Sequence, residues 1–232
     1  ARTAKEWGLT QKWDHGPSVE LESHTFVLRL RHLASSIGVD LPPMAFQKNF
    51  DGIADLVAVN AGSTVKLALV LGNAFFEPRT EASFAFVMAR LLTRLRPEFI
   101  VTWPNICSSE GELRTVVAAA CQLVGHEIAL PADYTEFVQR YVQLFKQHLS
   151  PETLESLASA STSIPYQDEL VSAWLNGISL TANRAGLLMC RNLVSAVAEA
   201  TTDRLFGIGL GQFEATRDLL AWSSTSEYAL FV

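Results

Sequence analysis

Residues 81–97, EASFAFVMARLLTRLRP, set the terms on which the rest of the chain folds. Their apolar positions recur at helical spacing, Glu81 stands where a carboxylate opens a helix, and Pro97 closes it. Arg90 and Arg94 are one turn apart and so point the same way. Upstream, residues 42–46, 54–61 and 66–72 read as three short strands, with turns at 49–52 and 60–63. Before them, Leu21, Phe26, Leu28, Leu30, Leu33 and Ile37 give residues 19–37 an amphipathic helical pattern ended by Gly38.

From residue 79 onward the pattern is mainly helical. Helices are expected near 80–96, 109–124, 131–148, 151–160 and 166–200, the last broken near Asn183, with Pro131 and Pro151 in first turns. The expected class is α+β and mostly helical. A small sheet in the N-terminal half packs on the 81–97 helix, and a C-terminal helical subdomain follows. Residues 159–165, SASTSIP, form the best internal loop, too short to mark a boundary, so residues 1–232 read as one domain without repeats.

In an H-E-x-x-H helix the two histidines sit four apart on one face, so both reach one metal while the glutamate activates its water. Here the equivalent pentad is Arg90-Leu91-Leu92-Thr93-Arg94. Later, Ser179-Leu-Thr-Ala-Asn183-Arg-Ala-Gly186 occupies the place of a second helix of such a site. This order, over roughly residues 25–200, resembles the HtpX-like and CAAX-prenyl-endopeptidase-like family of zinc metallopeptidases. That resemblance puts the first histidine on Arg90, the general base on Leu91 and the second histidine on Arg94. It puts the third-ligand glutamate on Ser179 and the following aspartate on Asn183. All five residues have changed.

Zinc takes neutral imidazole or anionic oxygen and sulfur donors, whereas guanidinium has no lone pair to give. An arginine at ~4 Å would repel a dication by several kcal/mol at an effective dielectric of ~20. Leu91 cannot take a proton from water, so hydrolysis by metal-bound water is not expected here. No cofactor is expected either. Arg90 and Arg94 are instead read in two ways. They form a cationic pocket for a carboxylate or phosphate, or they pair with an acidic residue of the following helix, where Asp168 shares the face of Ser172, Ser179 and Asn183.

Composition narrows the partners. With 49% hydrophobic and 18% charged residues over 232 positions, the chain can bury a large core. A net charge of -6 argues against nucleic-acid and anionic-membrane surfaces. The longest apolar stretches are interrupted by Lys66, Asn73, Arg90 and Gln122 before reaching about 18 residues, so no membrane span is expected. Residues 1–7 lack the apolar run of a signal peptide and read as the cut end of a longer chain. Cys107, Cys121 and Cys190 are scattered among apolar neighbours, which reads as core packing in a reducing cytoplasm.

Other motifs are weaker. His126-Glu127 lacks a second histidine, because the position three beyond is Leu130; His15, His24, His32 and His148 show no ligand pairing and read as exposed or capping. Gly207-Ile-Gly-Leu-Gly211 lacks the lysine of a P-loop and reads as a turn between the last two helices. No G-x-S-x-G elbow occurs. Trp7, Trp13, Trp103, Trp174 and Trp222 read as mostly buried rings. The tail AWSSTSEYALFV alternates apolar and polar groups as an added strand or docking tail would.

The resulting expectation is a non-catalytic, metallopeptidase-like domain that binds proteins as a scaffold. The resemblance implies a C-terminal module of a larger bacterial protein carrying helical repeats. The alternatives are a hydrolase with an unrelated active site and a small-anion sensor built on Arg90 and Arg94.

Overall fold

Why the 19–37 segment does not run as one helix is visible at His24. This residue leaves helical geometry (φ -65°, ψ 131°) and its Nδ1 accepts a hydrogen bond from the Phe26 amide at 3.3 Å. The segment therefore divides into α1 (Val19–Ser23) and α2 (Thr25–Ser36), with a side-chain cap at the junction. α2 buries Val27, Leu30 and Ala34 at three- and four-residue spacing and ends at Gly38, whose φ of 68° suits glycine. The computed structural model describes residues 19–61, 64–103, 106–126, 128, 131–163, 169–201 and 211–231. It groups the chain into two compact units: residues 1–108 with 175–232, and residues 109–174.

In the first unit β1 (Met44–Phe46), β2 (Ala54–Ala61) and β3 (Thr64–Leu71) form one sheet of order β1-β3-β2. β2 and β3 are antiparallel, pairing Leu56 with Leu69 and Ala54 with Leu71, while β1 runs parallel to β3. Alternation sorts the side chains. Leu56, Leu69 and Leu71 join the main apolar core, and Val57, Val59, Ala68 and Val70 lie on the other face with Phe50 against them. Gly72 ends β3 where a Cβ would lie 2.2 Å from the Gly52 carbonyl oxygen and 2.4 Å from that of Phe50. Only glycine allows the chain to turn there.

α3 (Glu81–Arg94) is capped by the Thr80 hydroxyl, which accepts from the Ser83 amide at 3.2 Å. Nearly every residue from Ser83 to Arg94 is buried, which follows from a sequence apolar on all sides rather than on one stripe. At its C-terminus the buried Trp103 indole donates to the Arg94 carbonyl at 2.8 Å, satisfying one of the orphan acceptors of the last turn. α7 (Glu169–Cys190) does not break near Asn183 as expected. It runs on to Arg191 (φ 48°), and Asn192 caps α8 (Leu193–Thr201) by accepting from the Ser195 amide at 3.0 Å. The break needed a capping asparagine, and Asn192 rather than Asn183 has the open backbone to be one.

α8 packs on α3 through the buried Ala196 and Ala200 and a Ser83–Glu199 hydrogen bond. The C-terminal segment is helical rather than a strand, forming α9 (Gln212–Ser223) and α10 (Ser226–Ala229). Thr225 caps α10, Trp222 packs edge-on against Tyr228, and Arg184 grips Asp218 with two hydrogen bonds of 2.6 and 3.1 Å. These tertiary contacts override the alternating pattern. Residues 202–210, and with them most of the glycine-rich motif, lie outside the described residues, as do Trp7, Trp13 and Asp168.

The second unit holds α4 (Glu110–Leu123), α5 (Thr135–His148), α6 (Pro151–Ser163) and the start of α7. Pro151 occupies a first-turn position, whereas Pro131 precedes a short 3-10 turn (Ala132–Tyr134) and α5 starts after it. α6 extends three residues past its expected end, into the SASTSIP stretch. The core of this unit is small: Ala118 and Ala119 meet Val138 and Val142, with Tyr141 and Phe145 half-buried beside them. Polar clasps supplement it. Glu110 accepts from Ser172 at 2.5 Å and from Arg114 at 2.8 Å, and Tyr141 donates to Glu112 at 2.8 Å. The whole is α+β and mostly helical, and among the described residues no helix is long and apolar enough to cross a membrane.

Candidate functional site

Phe86, Arg90 and Arg94 recur every four residues along α3; Ser179, Asn183 and Gly186 recur at four and three along α7. Each row therefore forms one helix face, and the two faces share a seam inside the first unit. At one end the helices touch. A Cβ on Gly186 would lie 2.7 Å from the Phe86 ring and 3.0 Å from its carbonyl oxygen. At the other end Arg94 Nη2 donates to Ser179 Oγ at 3.1 Å, bridging the gap with the length of an arginine. Gly186 and Ser179 are seven residues apart and Phe86 and Arg94 eight, so both ends are spanned by about 11 Å of helix. Arg90 and Asn183 occupy the interval.

All four polar seam residues are buried: Arg90 4%, Arg94 2%, Ser179 6% and Asn183 1% exposed. The Arg90 guanidinium stands 5.4 Å from the Phe86 ring centroid, a cation–π distance, while Asn183 Oδ1 is buried without a hydrogen bond. Leu91, one step round the helix, lies fully buried in the apolar core with Leu92 and Met88. The structure thus joins Arg94 to Ser179 directly and sets Arg90 and Asn183 in the same seam. Asp168, the acidic residue expected opposite them, falls outside the described residues.

A dication does not fit this donor set. Two guanidinium groups, a hydroxyl and an amide offer no anionic ligand, and among the described residues no three His, Cys, Asp or Glu side chains are grouped to hold a metal ion. The arginines are also closed to solvent, so the seam is interior structure rather than an open pocket. Other sequence candidates are dispersed. His24 caps α2, His126 is exposed while Glu127 is outside the described residues, and burial pushes the Cys121 and Cys190 thiols above their ordinary range, holding them as weak nucleophiles.

Sequence reasoning missed the Trp103–Arg94, Ser83–Glu199 and Arg184–Asp218 contacts, because each joins residues whose spacing carries no periodic signal. Glu110 and Arg114, four apart on α4, carry the spacing of a helical pair, a signal that was not read from the sequence. A groove of about 500 Å³ in the first unit, lined by Leu28, Leu33, Phe84, Ala85 and Met189 with Arg29 and Glu81 at its edge, was not anticipated either. Comparison of the chain with protein-family models, with curated proteins and with solved structures finds no match.

Proposed function

We propose that this chain is a non-catalytic, metallopeptidase-like domain that acts by binding other proteins, as a scaffolding module. The observation that carries the reading is the α3–α7 seam. On the resemblance, Arg90, Arg94 and Ser179 take the metal-ligand positions, Leu91 that of the general base and Asn183 that of the following aspartate, and the Arg94–Ser179 bond with the burial of all five supports the reading. Arginine can supply no metal ligand and leucine no general base, so the seam serves as an internal clasp between two helices. Large apolar side chains left at the surface on α5 (Phe137, Leu144) and α9 (Phe213, Leu220) favour protein binding over a purely structural role. The scattered thiols, each beside apolar neighbours, support a reducing, cytoplasmic setting. The test is isolation of the chain from its own cells under mild crosslinking. A protein recovered reproducibly in near-equal amount supports the reading; none at any salt concentration overturns it.

A further inference from the structure

Arg29 on α2 is held by aromatic rings as well as by its counterion. Its guanidinium stands 4.2 Å from the Phe84 ring centroid and 5.9 Å from that of Phe26, so two rings of the first unit fix its position. The counterion is held less firmly. Glu81 reaches the guanidinium from the first turn of α3, yet the glutamate side chain is 81% exposed against 30% for the arginine. An ion pair with so exposed a carboxylate is a weak clasp, and Glu81 can leave Arg29 for water at little cost.

Beside this pair lies the groove of about 500 Å³, a volume that suits a small molecule. Leu33, Phe84, Ala85 and Met189 make its lining apolar, and Leu28, 51% exposed, leaves it open to solvent. Among the described residues its titratable lining groups are Arg29, His32, Glu81 and Cys190. Burial pushes the Cys190 thiol up, so it stays neutral, and Glu81 is the single anion of the set. When Glu81 turns away, the lining keeps a fixed cation and no negative charge.

We propose that the groove binds an aliphatic monocarboxylate, its tail against the apolar lining and its carboxylate on Arg29 in the place now taken by Glu81. Carboxylate is the headgroup that the structure supports, because Arg29 already holds one there. A cationic amphiphile is repelled by the guanidinium, an uncharged one gains nothing from it, and a small anion without a tail leaves the apolar lining wet. This site shares no residue with the α3–α7 seam and needs no protein partner.

Isothermal titration calorimetry of the full chain with decanoate, decanol, decyltrimethylammonium and butyrate tests the site. Decanoate is expected to bind about tenfold tighter than each of the other three, which lack its charge, its sign or its tail. Glu81→Gln, on an exposed side chain, frees Arg29 and is expected to tighten decanoate about threefold. Arg29→Gln is expected to weaken it about tenfold with circular dichroism unchanged. Arg31→Gln, on the cation paired with Glu22 outside the groove, is expected to change nothing. No binding of decanoate, equal binding of decanol, or an affinity for decanoate that Glu81→Gln leaves unmoved or lowers overturns the site. Equal losses with Arg31→Gln and Arg29→Gln also overturn it, since they would mark a diffuse attraction to surface cations. Should Arg29→Gln unfold the chain, the Glu81→Gln result decides by itself.

Discussion

Two glycines in one helix separate close packing from mere helix propensity. Gly177 and Gly186 both lie within α7, so replacing either with alanine gains the same intrinsic preference, about 1 kcal/mol. Their surroundings differ. A Cβ at Gly177 meets nothing within 4 Å, whereas at Gly186 it meets the Phe86 ring at 2.7 Å and the Phe86 carbonyl oxygen at 3.0 Å. The ring can rotate aside but the carbonyl belongs to a buried helix, so α3 and α7 must separate slightly at a cost of about 1–3 kcal/mol. Gly177→Ala is expected to stabilise by up to about 1 kcal/mol and Gly186→Ala, its packing cost offset by the same gain, to destabilise by up to about 2 kcal/mol. In a chain of this size that corresponds to melting shifts of opposite sign, about 2–4 °C per kcal/mol. Differential scanning calorimetry of the two variants decides the matter. Equal stabilisation by both would refute the backbone contact at the Phe86 end of the seam.

Further outcomes follow from the other contacts. Ser179→Ala removes a neutral partner of Arg94 and is expected to cost about 1–2 kcal/mol, and Arg94→Met to cost more by stripping the buried network as well, both read by urea denaturation. Glu110 is held below the usual carboxylate range first by the Ser172 hydroxyl and then by Arg114. A depressed folded-state pKa stabilises above the unfolded value, about 4.3, and that contribution is lost as pH falls through the folded value. Ser172→Ala is therefore expected to be less stable than the parent at neutral pH, with the gap closing on acidification below about pH 4; a gap that widens would contradict the assignment. In hydrogen exchange, α6, with no buried side chain among those described, is expected to exchange well before α3; the reverse order would contradict the packing.

How much of this was legible in the sequence depended on the range of the contact that decided it. Local chemistry was readable: strands from β-branched and aliphatic runs between turns rich in Gly and Asn, α3 from its opening Glu81, the Gly38 stop, the proline at the start of α6. The rows of Arg90 with Arg94 and Ser179 with Asn183 followed from helical spacing alone. The closeness of those rows did not, because it depends on Gly186 admitting the Phe86 backbone across about a hundred residues of chain. The strand reading of the C-terminus failed for a related reason. Trp222, Tyr228 and Asp218 find partners that favour helix over their alternating pattern. His24 and Asn192 split helices that periodicity alone would have joined or broken elsewhere.

Elemental analysis of the purified full chain, followed by titration with zinc, bears most directly on the account. Arginines filling the seam predict no stoichiometric zinc and no thermal stabilisation by added zinc. Close to one zinc per chain, released by substitution of Ser179 or Asn183, would contradict it.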